Sequence, residues 1–373
     1  MDYGIGANPL KLGFGLMRLP KNPDGSIDIP QVCDMADRFI EAGGTYFDTA
    51  YVYDGGASEK AFKAAVADRY PREAYTLATK LFAAAPDCHG EADAKRQTEI
   101  SLERTGVGYI DYYLLHAIQR TNVRKYEDWG LWDYVKQLKA EGKIRHWGFS
   151  FHADPDLLEE LLTAHPDAEF VQLQINYADW DNPGVGSRRN WEICRAHGKP
   201  VIVMEPVKGG VLADPIPEVK EALDRVGGYS YAGWALKYVG SLEQVHTILS
   251  GMSDRDQMAD NLKTMKDFRP LTPEEAEAIR AAQKALDKDK SIPCTACRYC
   301  TEGCPMNIAI PEIFNVVNRR KGSVEFRTKR EYTIVTEGKG RASDCVRCGR
   351  CESVCPQHLP IMRLLEDCRS LEG

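Results

Sequence analysis

Short apolar runs rich in β-branched and aromatic residues alternate, along the first two-thirds of the chain, with longer stretches whose apolar positions recur at helical spacing. After a first strand around 13–17, runs at 45–48, 75–80, 109–115, 144–149, 169–174, 200–204 and 245–249 read as strands. The stretches 30–42, 57–68, 93–105, 126–141, 155–164, 186–197, 216–238 and 254–267 read as helices. Eight strands, each followed by helix, predict an α/β chain folded as a (β/α)8 barrel. A doubly wound sheet is the competing arrangement, but neither Gly4-Ile-Gly6 nor Gly13-Phe-Gly15 completes the G-x-G-x-x-G turn it uses. The barrel pattern closes near Arg269-Pro270, giving a first domain at 1–270. Thr272-Pro-Glu-Glu275 then offers an N-cap, a proline at N1 and a Glu at N3, a capping box opening a linker helix from 273 to about 288, within a connector at 271–292. Residues 293–373 form a chemically different, mainly helical second domain, with 310–320 its clearest helix.

The ends of three successive predicted strands carry reactive groups. Tyr46-Phe-Asp-Thr-Ala-Tyr-Val-Tyr53 holds Asp48 and Tyr53 where strand gives way to loop, Lys80 closes Tyr75-Thr-Leu-Ala-Thr-Lys80, and His116 closes Tyr109-Ile-Asp-Tyr-Tyr-Leu-Leu-His116. A barrel gathers its strand C-termini at one mouth, so all four side chains can meet there. An acid, a phenol and two bases suit proton transfer. Any one of them alone reads as readily as a structural residue.

Composition alters this picture little until the cysteines are reached. A chain of 373 residues, 43% hydrophobic and 28% charged, fits a globular protein with room for a barrel and a small module. A formal charge of −7 argues against nucleic acid as a partner. No run nears the ~18 apolar residues of a membrane span, and Met1-Asp-Tyr-Gly lacks the basic and apolar regions of a signal peptide, so a cytoplasmic location is expected. Twelve cysteines are many for a reducing compartment, and clustered ones there bind metal before they form disulfides.

Residues 294–304 and 345–355 each read C-x2-C-x2-C-x3-C, and each is followed by proline, the ferredoxin spacing. Three thiolates at this spacing wrap one cube, and the fourth leaves for the other cube. Cys294, Cys297, Cys300 and Cys355 are therefore expected to hold one [4Fe–4S] cluster, and Cys345, Cys348, Cys351 and Cys304 a second. Structural zinc would use pairs of ligands and has no need of the fourth cysteine and proline. Cys33, Cys88, Cys194 and Cys368 are scattered and read as ordinary thiols. Between Arg319 and Arg350 ten Lys/Arg face four Asp/Glu. This is either a solvated face offsetting cluster charge, or a docking patch for an acidic electron carrier such as a ferredoxin or flavodoxin.

Asp48, Tyr53, Lys80 and His116, in that order, resemble the catalytic tetrad of the aldo/keto reductases. Leu12-Gly-Phe-Gly15, Phe47-Asp-Thr-Ala50, Ala78-Thr-Lys80 and Gly148-Phe-Ser150 resemble that family's surrounding motifs, over roughly residues 10 to 268. The resemblance implies a barrel enzyme that moves hydride between NADPH or NADH and a small carbonyl or alcohol. Tyr53 would be the proton donor, Lys80 would lower its pKa, Asp48 would hold Lys80, and His116 would bind the substrate oxygen. It further implies that Ser150 and Gln172 hold the nicotinamide carboxamide. Pro206, Lys208, Gly209 and Gly210, in Glu205-Pro-Val-Lys-Gly-Gly210, would wrap the pyrophosphate. Ser250, Gly251, Met252, Ser253, Gln257 and Asn261 would take the adenosine-phosphate end. Two positions depart from the family pattern: Phe151 follows Ser150 in place of the usual Asn, and Met204 stands where a tyrosine often stacks on the nicotinamide. The second domain resembles the helix-rich iron–sulfur domain of fumarate-reductase-type subunits.

Tyr51, Phe82, Phe151 and Trp180 are expected either to flank the substrate pocket or to sit in the core. A nicotinamide moves two electrons and a cluster one, so the clusters are structural or regulatory, or electrons pass through a partner flavin or a substrate radical. The alternatives are a ferredoxin-type electron-transfer protein, or a cluster-driven reductase whose barrel docks a partner or substrate without nicotinamide turnover.

Overall fold

In a computed structural model, residues 3–288, 291–319 and 325–372 are described. They fall into two compact units, one of residues up to Val207 with Leu212–Gln283, the other of Lys208–Val211 with the chain from Lys284 onward.

In the first unit, strands β1 (Leu12–Gly15), β2 (Tyr46–Asp48), β3 (Thr76–Leu81), β4 (Ile110–Ile118), β5 (Ile144–Phe151), β6 (Phe170–Gln174), β7 (Val201–Met204) and β8 (Val245–Ser250) pair in parallel and in order. β1 returns to β8 through Leu12↔Ile248 and Phe14↔Ser250, closing the barrel. The strands are buried nearly throughout, because both faces are covered, and so they read as apolar runs rather than alternating ones.

Helices α1 (Ile29–Glu41), α2 (Ala57–Phe62), α3 (Glu91–Thr105), α4 (Val123–Asp128), α5 (Leu131–Ala140), α6 (Pro155–Ala164), α7 (Ser187–Ala196), α8 (Pro217–Asp224), α9 (Tyr231–Gly240) and α10 (Arg255–Lys266) lie between and after the strands. Several start on side-chain caps. Asp28 accepts from the Gln31 amide at 3.0 Å, Asp154 from Leu157 at 3.2 Å and Asp254 from Gln257 at 2.8 Å. The single helices expected at 126–141 and 216–238 are each broken in two. Gly130 takes left-handed backbone between α4 and α5, and Ser230, accepting from the Gly233 amide at 2.9 Å, starts α9 afresh.

The expected capping box is present at the start of α11 (Pro273–Leu286). The Thr272 amide donates to Glu275 at 2.7 Å and the Glu275 amide to Thr272 Oγ1 at 3.2 Å. Lys237 of α9 donates to the same Glu275 at 2.6 Å, tying the start of α11 to the barrel unit.

The second unit contains α12 (Tyr299–Glu302), α13 (Ile310–Arg319), α14 (Glu325–Thr336), α15 (Arg350–Ser353) and α16 (Ile361–Cys368). Its core joins Ile308, Ile313, Phe314, Tyr332, Ile361 and Leu365 to the buried cysteines 300, 351 and 355. Residue 320, the last of the expected helix, and the rest of 320–324 in the basic stretch lie outside the described residues. Among the described residues no helix is long and apolar enough to cross a membrane.

Candidate active site and cysteine quartets

Register in the barrel brings the four candidate groups together. β2 pairs with β3 through Asp48↔Ala78, and β3 with β4 through Lys80↔Leu114, so Asp48, Lys80 and His116 occupy ends of adjacent strands. The Lys80 ammonium, fully buried, donates to Asp48 Oδ1 and to the Thr49 carbonyl, both at 2.5 Å. It also donates to the Tyr53 hydroxyl at 3.4 Å and lies 4.8 Å from the centre of that ring. Gln172 Nε2 donates to the other Asp48 oxygen at 3.4 Å. The Tyr53 and His116 rings meet edge to face, with centroids 5.7 Å apart, and Phe82 packs on His116 at 5.3 Å.

Burial pulls the Lys80 ammonium below its usual pKa and lifts the Asp48 carboxyl above its own. Each charge opposes the shift of the other. A depressed ammonium beside a phenol is a better proton-relay partner than a free lysine. His116 is pushed well below 6.5 by burial, then by Lys80 and His152, so its imidazole is neutral and offers an N–H without surrendering a proton.

β4 reaches this position through an irregularity. Its register with β5 shifts between Leu115 and Ile118, and Ala117 sits at φ 51°. The kink is held on both sides: the Ala117 amide donates to Ser150 Oγ at 2.7 Å, and the Tyr126 hydroxyl donates to the His116 carbonyl. Neither Tyr126 nor this role of Ser150 could be read from the sequence, since both act on backbone groups that spacing does not reveal. Buried Glu59 is a further contributor missed there. It accepts from Thr79 at 2.7 Å and from Arg104 at 3.2 Å, beneath the loop that carries Tyr53. Its position shortly after Tyr53 in the chain was the one available signal.

The cofactor candidates divide. Ser150 and Gln172 are register partners on β5 and β6, so a hydroxyl and a carboxamide stand side by side. Asn261 donates to Ser250 Oγ at 2.8 Å, and Gln257 Oε1 accepts from the Ser253 amide at 2.9 Å, gathering the segment after β8 onto α10. Met252 is buried and Gly251 borders Arg18. Lys208 and Gly209 group with the second unit, where Lys208 Nζ donates to Gln357 Oε1 at 3.5 Å. Gly210, next to them, has φ 99°. Of the aromatic candidates, Tyr51 donates to Asp87 at 2.6 Å, Phe151 is buried in the core, and Trp180 packs on Trp191 and Tyr238.

In the second unit the two cysteine motifs build the same loop twice. Ala296 and Arg347, Arg298 and Gly349, and Asn307 and His358 are matched positions, all in left-handed backbone. The amides of Cys304 and Cys355 donate to Thr301 and Glu352 at 3.1 and 3.3 Å, and those of Asn307 and His358 to the two cysteine carbonyls at 3.0 and 3.1 Å. Such alternating turns make backbone nests that favour anionic groups. Cys294, Cys297, Cys300 and Cys355 border one hollow. Cys304, Cys345, Cys348 and Cys351 border another. A single zinc ion, with Zn–S near 2.3 Å, draws four sulfurs to one point, whereas quartets spread around a hollow fit a polynuclear cluster. As thiols, buried Cys300 is raised by desolvation and then by Cys297, Cys294 and Cys355. Cys351 is raised to about 11, chiefly by desolvation. Bound iron reverses both by favouring thiolate.

The chain matches the aldo/keto reductase family over residues 11–284 and a 4Fe-4S dicluster domain over residues 293–359. The uncharacterized oxidoreductase YqkF of Bacillus subtilis is 25% identical over 304 residues, covering 74% of this chain and 92% of the relative. L-Galactose dehydrogenase of Arabidopsis thaliana is 26% identical over 307 residues, covering 76% and 91%. Among solved structures, the holo form of an aldo-keto reductase from Bacillus halodurans has a TM-score of 0.60 at 26% identity, covering 73% of this chain and 91% of that one. An aldo-keto reductase from Klebsiella pneumoniae in complex with NADPH has a TM-score of 0.58 at 23% identity over 73% and 91%, a likeness of fold.

Proposed function

Because the chain belongs to the aldo/keto reductase family and carries a 4Fe-4S dicluster domain, we propose that it interconverts a small carbonyl compound and its alcohol with a nicotinamide cofactor, alongside two [4Fe–4S] clusters. The observation that carries this reading is the buried contact chain Asp48–Lys80–Tyr53, completed by the neutral imidazole of His116. The substrate oxygen is held by the Tyr53 O–H and the His116 N–H, and Tyr53 passes its proton to that oxygen. Lys80 stabilises the phenolate left behind, and Asp48 fixes Lys80. When bound, the nicotinamide supplies the hydride.

Ser150 and Gln172 take its carboxamide, Pro206, Lys208, Gly209 and Gly210 its pyrophosphate, and Ser250 to Ser253 with Gln257 and Asn261 its adenosine end. Arg255, the cation nearest that end in sequence, is paired with Asp34 at 2.5 Å, while Arg18 borders Gly251, so the cofactor is NADH or NADPH. Cys294, Cys297, Cys300 and Cys355 hold one cluster, and Cys304, Cys345, Cys348 and Cys351 the other, each supplying one electron at a time when bound.

A second reading rests on one observation: Lys208, expected on the pyrophosphate, is engaged by Gln357. In this reading electrons reach the substrate from the clusters and a small acidic carrier protein. Anaerobic, cluster-loaded protein given NADH or NADPH and a panel of aldehydes and ketones separates the two. Turnover that Tyr53→Phe reduces by about 10²–10⁴-fold, with cofactor binding kept, supports the first. Turnover only with dithionite or reduced ferredoxin overturns it.

A further inference from the structure

Gln357 follows Cys355 by two positions, is 9% exposed, and borders the hollow enclosed by Cys294, Cys297, Cys300 and Cys355. Its Oε1 accepts from Lys208 Nζ at 3.5 Å. An ammonium can only donate, so the amide must turn its oxygen to Lys208, which makes the NH2 its other end. That Nε2 is buried and, among the described residues, has no hydrogen-bond partner. Buried donors are almost always paired, so an orphan at the edge of a site built for a sulfur-rich cluster points to the ligand. Lys208 is itself buried, 6% exposed, and is held in place by its neighbour. Gly209 has φ +64° and lies so close to the loop between Cys294 and Cys297 that a Cβ would come within 2.4 Å of the Thr295 carbonyl oxygen.

The other half of the repeat is built differently. The position matching Gln357 is Met306, two beyond Cys304, which borders the second hollow and is 38% exposed. One quartet thus carries an amide donor backed by a buried cation, where the other carries a thioether.

We infer that Lys208 and Gln357 act as a relay that donates an N–H hydrogen bond to sulfur of the cluster held by Cys294, Cys297, Cys300 and Cys355, and so raise that cluster's reduction potential alone. A donor and a cation both gain strength as the cluster takes an electron, because the added charge sits beside them, and so they favour the reduced form. The inference rests on the cluster assignment proposed above. The ammonium invoked here is the one expected on the pyrophosphate, so Gln357, which has no part in that expectation, is the decisive position.

The test is an EPR-monitored redox titration of the anaerobically purified full chain, with iron and sulfide content measured first. Gln357→Met, which copies the other half, and Lys208→Met are each expected to lower one of two midpoints by at least tenfold in the one-electron equilibrium, about 59 mV, leaving the other unmoved. The converse change, Met306→Gln, is expected to raise the other midpoint and guards against a Gln357 variant that fails to assemble. Full clusters with unmoved midpoints, or with both midpoints moved equally, overturn the inference while leaving the cluster assignment standing. A wild-type chain without iron overturns the assignment and the inference together.

Discussion

At His116, burial and the Lys80 ammonium push the same way, and both oppose protonation. The folded-state pKa lies below the ordinary 6.5, so below about pH 6.5 the unfolded chain takes up a proton that the folded chain refuses, and stability falls as pH falls. In the proposed mechanism the same shift keeps the imidazole a neutral donor. The ratio of kcat between wild type and His116→Asn is therefore expected to be about 10² and flat from pH 8 to about pH 6. A ratio that collapses below pH 6.5 would show that the ring charges there. Lys80 and Asp48 make the opposite case, a buried pair in which each charge excuses the other. Lys80→Met should cost about 3–5 kcal/mol by denaturant unfolding, because Asp48 is left charged and unpaired, and adding Asp48→Leu should recover most of it. Asp48, Lys80 and His116 were legible in the sequence because each lies at or near the end of one of three successive strands, with Tyr53 in the loop after the first. Glu59 and Tyr126 were not, since a carboxylate under a loop and a hydroxyl on a carbonyl leave no periodic trace.

Elements carry their own information. The strands stood out as apolar runs because a barrel buries both faces, and α11 announced itself through a capping box written in four adjacent residues. The breaks between α4 and α5 and between α8 and α9 were hidden, because amphipathic spacing continues across a short gap while the backbone does not. The kink in β4 was equally hidden, although it lies next to His116, the residue proposed to bind the substrate oxygen. Tyr126 supports that kink from α4 and touches neither substrate nor cofactor in the proposed mechanism, which makes it a positioning residue. Tyr126→Phe is expected to lower kcat by about 10-fold or more while the KM for the nicotinamide stays within twofold, at a stability cost of about 1 kcal/mol. Steady-state kinetics on both substrates would show it. A change in cofactor KM alone would assign Tyr126 to nucleotide binding instead.

For the whole molecule, the two units differ in what holds them together. The barrel unit has a continuous apolar core between strands and helices, whereas the core of the second unit includes the cysteines that are proposed to hold iron. Iron chelation should therefore expose the chain beyond residue 291 to protease well before the barrel, with fragments read by mass spectrometry. Simultaneous loss of both would mean that the cysteines are not what holds the second core. The cysteine spacing made the quartets legible, but not the backbone that repeats around them, because left-handed turns at Ala296, Arg298 and Arg347 are unusual for those residue types. That repetition has an electrical consequence. Two identical cells side by side store charge but give it no preferred direction. A pair built to one plan and then made unequal at Gln357 and Met306 would, on the relay proposed above, have a polarity, with a single electron resting on the half that carries Gln357.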